Sequence, residues 1–561
     1  MDSAPTVTLD ISSCLPDLLA NADEMRAAVA AAIRPLLRDL GVPGDLAVGV
    51  TAVADDGTRT SALGVSVNGH DCPCPDEFLH TASAYVRGVH PAIAVAPRAL
   101  VEQSAANAAF VSLVCAASIG LQPSTLLGAE QATAYRASLP DLSAPAAADP
   151  AAPARLHGIL AAVLDQGVSI ADQAAVATIL ADSSTRSPDD VVETLIDALS
   201  PPSIDIELPL ALLRSITMDD PTNAERMIPL MRTSVFAQLG ALVPALHLRP
   251  VDDLRPASFR FRFGSLATLP MLGLGADDLL VEPSADRPLP ASSGGRPAPV
   301  HPITGARMLL VDRSERAAAN EAGLLSLNQS EYLVLSLVRA LRWWLPRLVT
   351  RSVVQQQVHA LEPILPSLVA ATGRRLSVET LTRIVRHLAS EHVPTRNWRA
   401  LLETLVDWAD ALGPQARGAD TAGPQERGDL DLEGAAAWVR ARADRALVAG
   451  HADADTALAV WQLGPDAEAV VAALPLRPGP YAAGTREQDQ RRRQVVHAIR
   501  ARMPAGQDGS QTARIALLAP DALRSRLSAL VAFELPNVHV LSRADLPVTT
   551  RFVIRGTISL T

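Results

Sequence analysis

Few residues in this chain have the type and spacing that chemistry needs, and the first to consider are His70, Cys72 and Cys74. An imidazole and two thiolates are ligands that zinc prefers. The Cys-Pro-Cys spacing is shorter than that of a zinc knuckle, and no second cysteine pair follows it. A loop with ordinary thiols is therefore the favoured interpretation, and no metal site is predicted.

Glycines and histidines elsewhere do not form a recognisable site. Gly273 and Gly275 lack the third glycine and the helix of a dinucleotide-binding loop, so they predict a turn. His387 and His392 lack the arrangement of a catalytic or metal-binding pair and are predicted to lie on the surface. The sequence has no phosphate-binding loop, no Gly-x-Ser-x-Gly and no His-Glu-x-x-His. We therefore predict neither enzymatic activity nor a cofactor, and we look for function in the surfaces.

Charge and hydropathy limit the partners. A net charge of −11 and a pI of about 5.6 argue against nucleic acid, whose binding requires phosphate neutralisation. The run Arg491–Arg493 predicts a solvated loop or helix end. Residues 103–129 carry no charge, but serines, glycine and proline interrupt them, which favours a buried helix over a membrane span. With no basic, apolar leader at the amino terminus, we predict a soluble cytoplasmic protein.

The stretch 348–409 must supply the framework for any such surface, and its pattern predicts three helical segments. Ser377 is suited to begin the middle one as an N-cap. Apolar residues then follow at helical spacing at Val378, Leu381, Ile384, Val385 and Leu388. A break at Val393-Pro394 precedes a third helix that starts near Trp398. This pattern predicts a compact helical bundle.

The order of motifs in this stretch resembles the FHIPEP family, whose members form the export gate of flagellar and virulence type III secretion systems. The matching segments are Leu348–Gln355, Pro366–Val369, Leu376-Ser377, Glu391–Arg396 and Leu401–Leu405. Further segments that resemble the family are Leu239–Leu248, Met308–Leu337, Leu517-Leu518, Leu523-Arg524 and Leu535–Ser542. The resemblance covers residues 201–561 well and extends to the first 200 residues as a worn copy. The family's membrane half has no counterpart in this sequence.

The resemblance implies a cytosolic ring that docks chaperone-bound cargo in a hollow between its first two subdomains. The family uses an acidic residue, an aromatic residue and a threonine there, and the aligned positions are His301, Thr304 and Leu335. The acid and the aromatic are both absent, so the resemblance predicts a retained scaffold with altered cargo recognition.

Residues 1–200 and 201–410 show signs of an internal duplication. The strand pattern at 7–11 returns at 204–208, and the helix that ends at Leu40-Gly41 has a counterpart that ends at Leu239-Gly240. Two later motif pairs lie 208 and 210 positions apart. The alternative is two unrelated α/β pieces of similar composition.

The predicted fold is therefore a multidomain α/β (α+β) protein with a duplicated module of βαββ sheet and helical bundle, followed by a terminal α/β domain. The predicted parts are a first βαββ domain (1–138), a partial helical domain (155–200), a second βαββ domain with an insertion (201–345, insertion about 265–325), a helical bundle (346–410), a linker (411–430) and the terminal domain (431–561).

Two functions remain open from the sequence. The first is a non-enzymatic scaffold that resembles the type III export gate and binds export substrates, chaperones or apparatus components. The alternative is an interaction module that has no link to secretion. A homo-oligomer would use the 348–409 surface, with Arg351, Gln355, Arg383, Arg386 and Arg396 as the candidate contact residues. The duplicated module could then take a neighbour's place within one chain.

Overall fold

The structure of the protein is a computed structural model. The residues it describes are 5–13, 21–52, 63–88, 107–140, 152–182, 186–199, 203–218, 228–233, 235–236, 244–283, 298–303, 308–391, 393, 395–411, 432–443, 458–474, 486–502, 515–532, 535, 538–546 and 551–560.

The first sheet is built as the alternating sequence predicts. Strand β1 (Thr6–Ser13) buries every second side chain, and helix α1 (Ala22–Leu40) covers that apolar face. The remaining strands are β2 (Asp45–Ala52), β3 (Leu63–Val67) and β4 (His70–Cys72), in the order β2-β1-β3-β4. β1 and β2 are parallel, as a helical crossover requires, and the other pairs are antiparallel.

Gly41 ends helix α1, as its position in the sequence predicts, with a left-handed φ of 78°. A methyl group on Gly41 would lie 2.4 Å from the backbone nitrogen of Ala171. We expect Gly41→Ala to lower the free energy of unfolding by about 3 kcal/mol, because a left-handed backbone and a backbone clash act together. Gly69 has a similar φ of 80° but nothing within 4 Å. Gly69→Ala should therefore cost only about 1 kcal/mol in urea denaturation, and equal losses would contradict the clash.

Among the described residues, six α-helices complete the first half of the chain. They are α2 (Asp76–Arg87), α3 (Asn107–Leu121), α4 (Ala129–Ser138), α5 (Ala152–Asp165), α6 (Gln173–Ala181) and α7 (Pro188–Leu199). Helix α3 lies within the charge-free stretch and is buried in the core, as predicted. The segment 156–199 is divided into three helices: Gly167, with a left-handed φ of 75°, follows the first, and Pro188 begins the last.

The second sheet has the same strand order and directions as the first. Its strands are β5 (Ser203–Leu208), β6 (Ala245–Pro250), β7 (Ser258–Phe263) and β8 (Leu266–Ala267), in the order β6-β5-β7-β8. β5 is parallel to β6 and antiparallel to β7. Helix α8 (Leu210–Met218) follows β5, and the short β9 (Met271–Leu272) pairs with β7.

A small antiparallel sheet lies within the predicted insertion. It consists of β10 (Asp278–Val281), β11 (Leu309–Asp312) and β12 (Ser326–Leu327), with helix α9 (Arg316–Glu321) between the last two. Gly273 and Gly275 lie in the connection before β10, where the amide of Gly275 donates to the carboxylate of Asp278, 2.9 Å away. This agrees with the predicted turn.

Helix α10 (Gln329–Leu348) joins the two halves of the chain. It begins with a reciprocal capping box between Asn328 and Glu331. Trp344 stacks on Phe263 of the second sheet at 4.9 Å between ring centroids. Arg347 donates to the last carbonyls of α3, Gly120 and Leu121, at 2.8 Å each. Burial lowers the pKa of Arg347 to about 10, although the charge of Asp165 opposes this shift.

The bundle contains one more helix than predicted. Its helices are α11 (Arg351–Leu361), α12 (Pro366–Gly373), α13 (Val378–Ser390) and α14 (Trp398–Ala411), and α15 (Leu432–Ala443) packs on α13 and α14. The first predicted segment is split because Pro363 interrupts it and Pro366 starts a new helix. The hydroxyl of Ser377 accepts from the Thr380 amide at 3.1 Å, which confirms the predicted N-cap.

The terminal domain is a sheet in the order β15-β14-β13-β16, with every neighbouring pair parallel. Its elements are β13 (Leu458–Leu463), α16 (Pro465–Ala473), α17 (Arg486–Arg502), β14 (Ile515–Ala519), α18 (Asp521–Val531), β15 (Val538–Ser542) and β16 (Phe552–Ile558). Helices α16 and α17 were not predicted. Gly464 is the N-cap of α16 and Pro465 its first residue. Helix α17 contains Arg491–Arg493, so these arginines lie neither in a loop nor at a helix end.

The main hydrophobic core runs through both βαββ sheets and helix α10 without a break. The bundle has its own core, and so does the terminal domain. The two βαββ sheets therefore form one body, and helix α10 extends from it into the core of the bundle through Leu345.

Candidate functional site

The histidine and cysteines at 70–74 do not form a metal site. His70 and Cys72 lie in strand β4, not in a loop, and Cys74 lies in the connection to α2. The thiols of Cys72 and Cys74 are buried in the main core. Burial raises the pKa of Cys72 to about 12, against a hydrogen bond from Thr125 that lowers it. A buried, protonated thiol is a poor metal ligand and a poor nucleophile.

The positions aligned with the family's docking hollow are only partly open. His301 is buried, with 7% of its surface exposed. Burial lowers the pKa of His301, although the charge of Glu282 opposes this shift. Leu335 on α10 is half-buried and packs against the main core. Thr304 lies outside the described residues. Of the acid and aromatic positions the structure therefore describes only the first, where a buried histidine replaces the acid.

The same side of helix α10 is in contact with the first half of the chain. Arg339 and Trp343 lie four and eight residues after Leu335 and so share its face of the helix. Arg339 binds the carboxylate of Glu77 at 2.8 Å, and Trp343 packs on Phe78 at 6.3 Å between ring centroids. Helix α2 therefore covers part of the face that carries Leu335.

The candidate self-association residues lie on helices α11 and α13 and on the connection before α14. Gln355 is exposed on α11, and Arg396 is exposed in the connection. Arg351, Arg383 and Arg386 instead contact helix α7 of the same chain. The prediction assigned these three arginines to a contact between chains. Here the first half of the chain largely covers Arg383 and Arg386, whereas Arg351 is 38% exposed and lies closer to Glu379 of α13, at 2.7 Å.

Helix α7 meets these arginines with three acidic residues spaced four apart, so that they lie on one face. Asp189 pairs with Arg383, and Asp197 lies 3.9 Å from Arg351 and accepts from the Ser352 hydroxyl at 2.8 Å.

The central acid, Glu193, has 1% of its side chain exposed and receives both arms of the Arg386 guanidinium, one of them at 2.9 Å. Arg386 also donates to the carbonyl of Val349 at 2.7 Å. The surface defined by Arg351, Arg383 and Arg386 is hereafter called the arginine face.

A second ionic cluster joins the bundle to the terminal domain. The side chain of Arg440 on α15 is 3% exposed and contacts Glu391, Glu433 at 2.6 Å and Asp545 at 3.0 Å. Arg524 on α18 contacts the same Glu391 and lies 3.2 Å from Asp545. The five residues Glu391, Glu433, Arg440, Arg524 and Asp545 are hereafter called the ionic joint.

The ionic joint was not predicted from the sequence, although two of its residues belong to motifs that the sequence analysis singled out. Glu391 and Arg524 both lie in motifs that carry the family resemblance, but the pattern alone gave no reason for a charge at either position. The joint brings into contact residues as far apart in sequence as Glu391 and Arg524.

A group that could hold a metal among the described residues is His387, Glu391 and Glu433, which lie within 4.8 Å of one another. His387 is mostly buried between these two carboxylates, so the prediction of a surface residue was wrong. Arg440 and Arg524 already neutralise the carboxylates. A divalent cation would have to displace two buried guanidinium groups, and we assign no metal to this group. His392 lies outside the described residues.

The ionic joint should weaken in acid. Burial alone would raise the pKa of Glu433, but hydrogen bonds and charge from His387 and Arg440 outweigh it and hold the pKa at about 2. Because the folded pKa lies below the ordinary value of 4.5, ionised Glu433 stabilises the fold above that pH. This contribution should be lost as the pH falls from 4.5 towards 2. Thermal unfolding across this range should therefore show a flatter pH dependence for Glu433→Gln than for the parent protein.

Comparisons with known proteins show which family this chain resembles. The FHIPEP family model matches residues 154–551, well over half of the chain. The hypersensitivity response secretion protein HrcV of Ralstonia nicotianae is 27% identical over 209 residues, which are 36% of this chain and 28% of HrcV. The match thus spans less than a third of that relative's length.

Solved structures match this chain at low sequence identity. The Chlamydia pneumoniae CdsV and CdsO complex matches with a TM-score of 0.50 and 19% identity, over 64% of this chain and 98% of that one. The nonameric SctV-C of EPEC matches with a TM-score of 0.45 and 16% identity, over 64% of this chain and 98% of that one. In the part of this chain that the structure describes, no helix is long and apolar enough to cross a membrane.

Proposed function

Because this chain belongs to the FHIPEP family, we propose that it is a docking scaffold of a type III protein export apparatus. The family consists of non-enzymatic transport components, in agreement with the prediction from the sequence. The single observation that carries the proposal is the extent of the family match, which runs through the second sheet, the bundle and most of the terminal domain. The proposed partners are apparatus components and chaperone-bound export substrates.

Two copies of one module would give the scaffold more than one docking surface. The four strands of the first sheet and strands β5–β8 of the five-stranded second sheet have the same order and the same directions. Helix α7 packs on α5 as α14 packs on α12, and α7 and α14 follow their sheets at corresponding positions. We propose that residues 1–200 and 201–410 are two copies of one module. The first copy is hereafter called copy 1 and the second copy 2.

The proposed function can be tested with one defined partner. CdsV has been solved in complex with CdsO, and we propose that this chain binds the CdsO counterpart of its own cell. Biolayer interferometry with the purified full chain should give saturable binding, and deletion of the gene should reduce export of a reporter substrate. A folded chain that does not bind the counterpart and whose loss leaves export unchanged would contradict the proposal.

The alternative is an interaction module without a link to secretion. It is favoured by the absence of the family's acid and aromatic at positions 301 and 304. Secretion genes beside this gene would support the export function, and their absence together with unchanged export would support the alternative.

We propose a cytoplasmic location for the chain. It should be recovered without detergent after cell lysis, because the charge-free residues of helix α3 are buried in the main core. Fractionation with an integral membrane protein as the control can check this. Retention in the membrane fraction after alkaline extraction would contradict the expectation.

A further inference from the structure

We infer that the two copies contact each other head to tail within the chain, and that copy 1 thereby covers a surface through which a second molecule of this protein would otherwise bind. The site of that second molecule is the outer face of helix α14. The inference rests on the proposed duplication, and it concerns assembly rather than the binding of the CdsO counterpart.

The contact between the copies uses different surfaces on each side. Copy 1 contributes its last helix, α7, whereas copy 2 contributes the arginine face on α11 and α13. Such a heterologous contact leaves one unused surface of each kind, and its repetition produces chains or rings. The unused counterpart of α7 is α14 in copy 2. The unused counterpart of α13 is α6 in copy 1.

Helices α7 and α14 correspond residue by residue. With positions 210 apart taken as equivalent, the buried Val191, Val192 and Leu195 correspond to the buried Leu401, Leu402 and Leu405. The acids Glu193 and Asp197 correspond to Glu403 and Asp407 by the same spacing. Both helices therefore bury one equivalent face and carry two acids at equivalent positions.

The environment of these acids differs between the copies. Glu193 is covered by Arg386, whereas 49% of the Glu403 side chain is exposed and its ion-pair partner is Arg399 of the same helix, at 2.8 Å. Asp407 is also exposed. The equivalent acids of copy 1 bind the arginines of copy 2, so α14 has the residues to bind a second arginine face.

Copy 1 does not offer such a face. With the offset of 205 that relates the starts of α6 and α13, Thr178 and Ala181 on α6 stand where copy 2 has Arg383 and Arg386. The arginine face of copy 2 is the surface that complements α14 in charge, and in each molecule α7 covers it. The protein should therefore assemble through α14 only when α7 is displaced from the arginine face of another molecule.

One position in α14 limits the affinity of this contact. Arg399 corresponds to Asp189, the residue that pairs with Arg383 in copy 1. In an assembly, Arg399 would face Arg383 and repel it. Restoring the acid with Arg399→Asp should strengthen the association. This substitution therefore tests both where the second molecule binds and whether the effect is an increase in affinity.

The test uncovers the arginine face in the full chain. In the variant Asp189→Lys/Glu193→Lys/Asp197→Lys, helix α7 repels the three arginines. Sedimentation at low salt should show a mass that rises with concentration above that of the parent protein. The mass should fall back on addition of Glu403→Lys/Asp407→Lys, and at about 1 M salt, where screening is nearly complete. Arg399→Asp should shift the association to lower concentration in the uncovered variant and leave the parent unchanged.

Two controls keep the test decisive. Circular dichroism checks that the triple variant is folded. If it is not, the double variant Asp189→Lys/Asp197→Lys, which leaves the buried Glu193 in place, is used instead. A folded, uncovered variant with the parent's mass would overturn the inference, as would association that is indifferent to Glu403→Lys/Asp407→Lys. Either result would leave binding of the CdsO counterpart unaffected, so a failure here is separate from a failure of the proposed function.

Discussion

Arg440→Met is expected to lower the free energy of unfolding by about 3–5 kcal/mol, the usual cost of leaving buried charges without their partner. Among the described residues, Arg440 is the one cation of the ionic joint that contacts all three carboxylates, those of Glu391, Glu433 and Asp545. Its removal leaves Arg524 to compensate two almost fully buried carboxylates. Burial by itself lowers the pKa of Arg440, but the three carboxylates raise it well above its ordinary range.

The loss should appear mainly as separation of the terminal domain. The bundle and the terminal domain have separate hydrophobic cores, and the ionic joint lies between them. Scanning calorimetry of Arg440→Met should therefore show a separate early transition for the terminal domain. Arg440→Lys should give an intermediate loss, because a lysine retains the charge but cannot bind several carboxylates in a planar fork.

Arg442→Met is the matched control for this experiment. Arg442 is on the same helix, is exposed, and lies over the ring of Trp438 at 4.1 Å. Its loss should cost less than about 1 kcal/mol, as expected for an exposed cation–π contact. Equal effects of the two substitutions would show that the ionic joint does not hold the two parts together.

Regular elements were predictable where one local signal determined them. Alternating apolar residues at 7–11 and 204–208 predicted the two central strands, and Ser377 and Gly41 predicted where helices begin and end. Helix α17 was missed because its apolar residues are few. Val495, Val496 and Ile499 are buried against the terminal core, but charged residues dominate the rest of the helix.

Contacts between distant segments could not be predicted in the same way. A pattern shows that Arg386 or Arg440 is charged, but it cannot show which distant acid comes within hydrogen-bonding distance of it. The arginine face illustrates this difference. The sequence predicted a self-association surface on the bundle, and in the structure Arg386 of that surface pairs with Glu193 in the first half of the same chain.

Glu193→Ala is expected to destabilise the protein by about 3–5 kcal/mol, because it leaves Arg386 largely buried without its carboxylate. The side chain of Arg386 is 13% exposed, and the carbonyl of Val349 would be its remaining partner among the contacts described here. A neutral oxygen cannot compensate a buried positive charge. Urea denaturation followed by circular dichroism can measure the loss.

Glu403→Ala provides the matched control, since Glu403 stands at the equivalent position of copy 2 and is half exposed. Its pair with Arg399 is a solvent-exposed contact within one helix, so its loss should cost at most about 0.5 kcal/mol. The double variant Glu193→Leu/Arg386→Met should recover much of the stability, because apolar residues of similar size can replace a buried ion pair at little cost. If Glu193→Ala and Glu403→Ala have the same effect, helix α7 is not held to the arginine face, and copy 1 does not cover that surface.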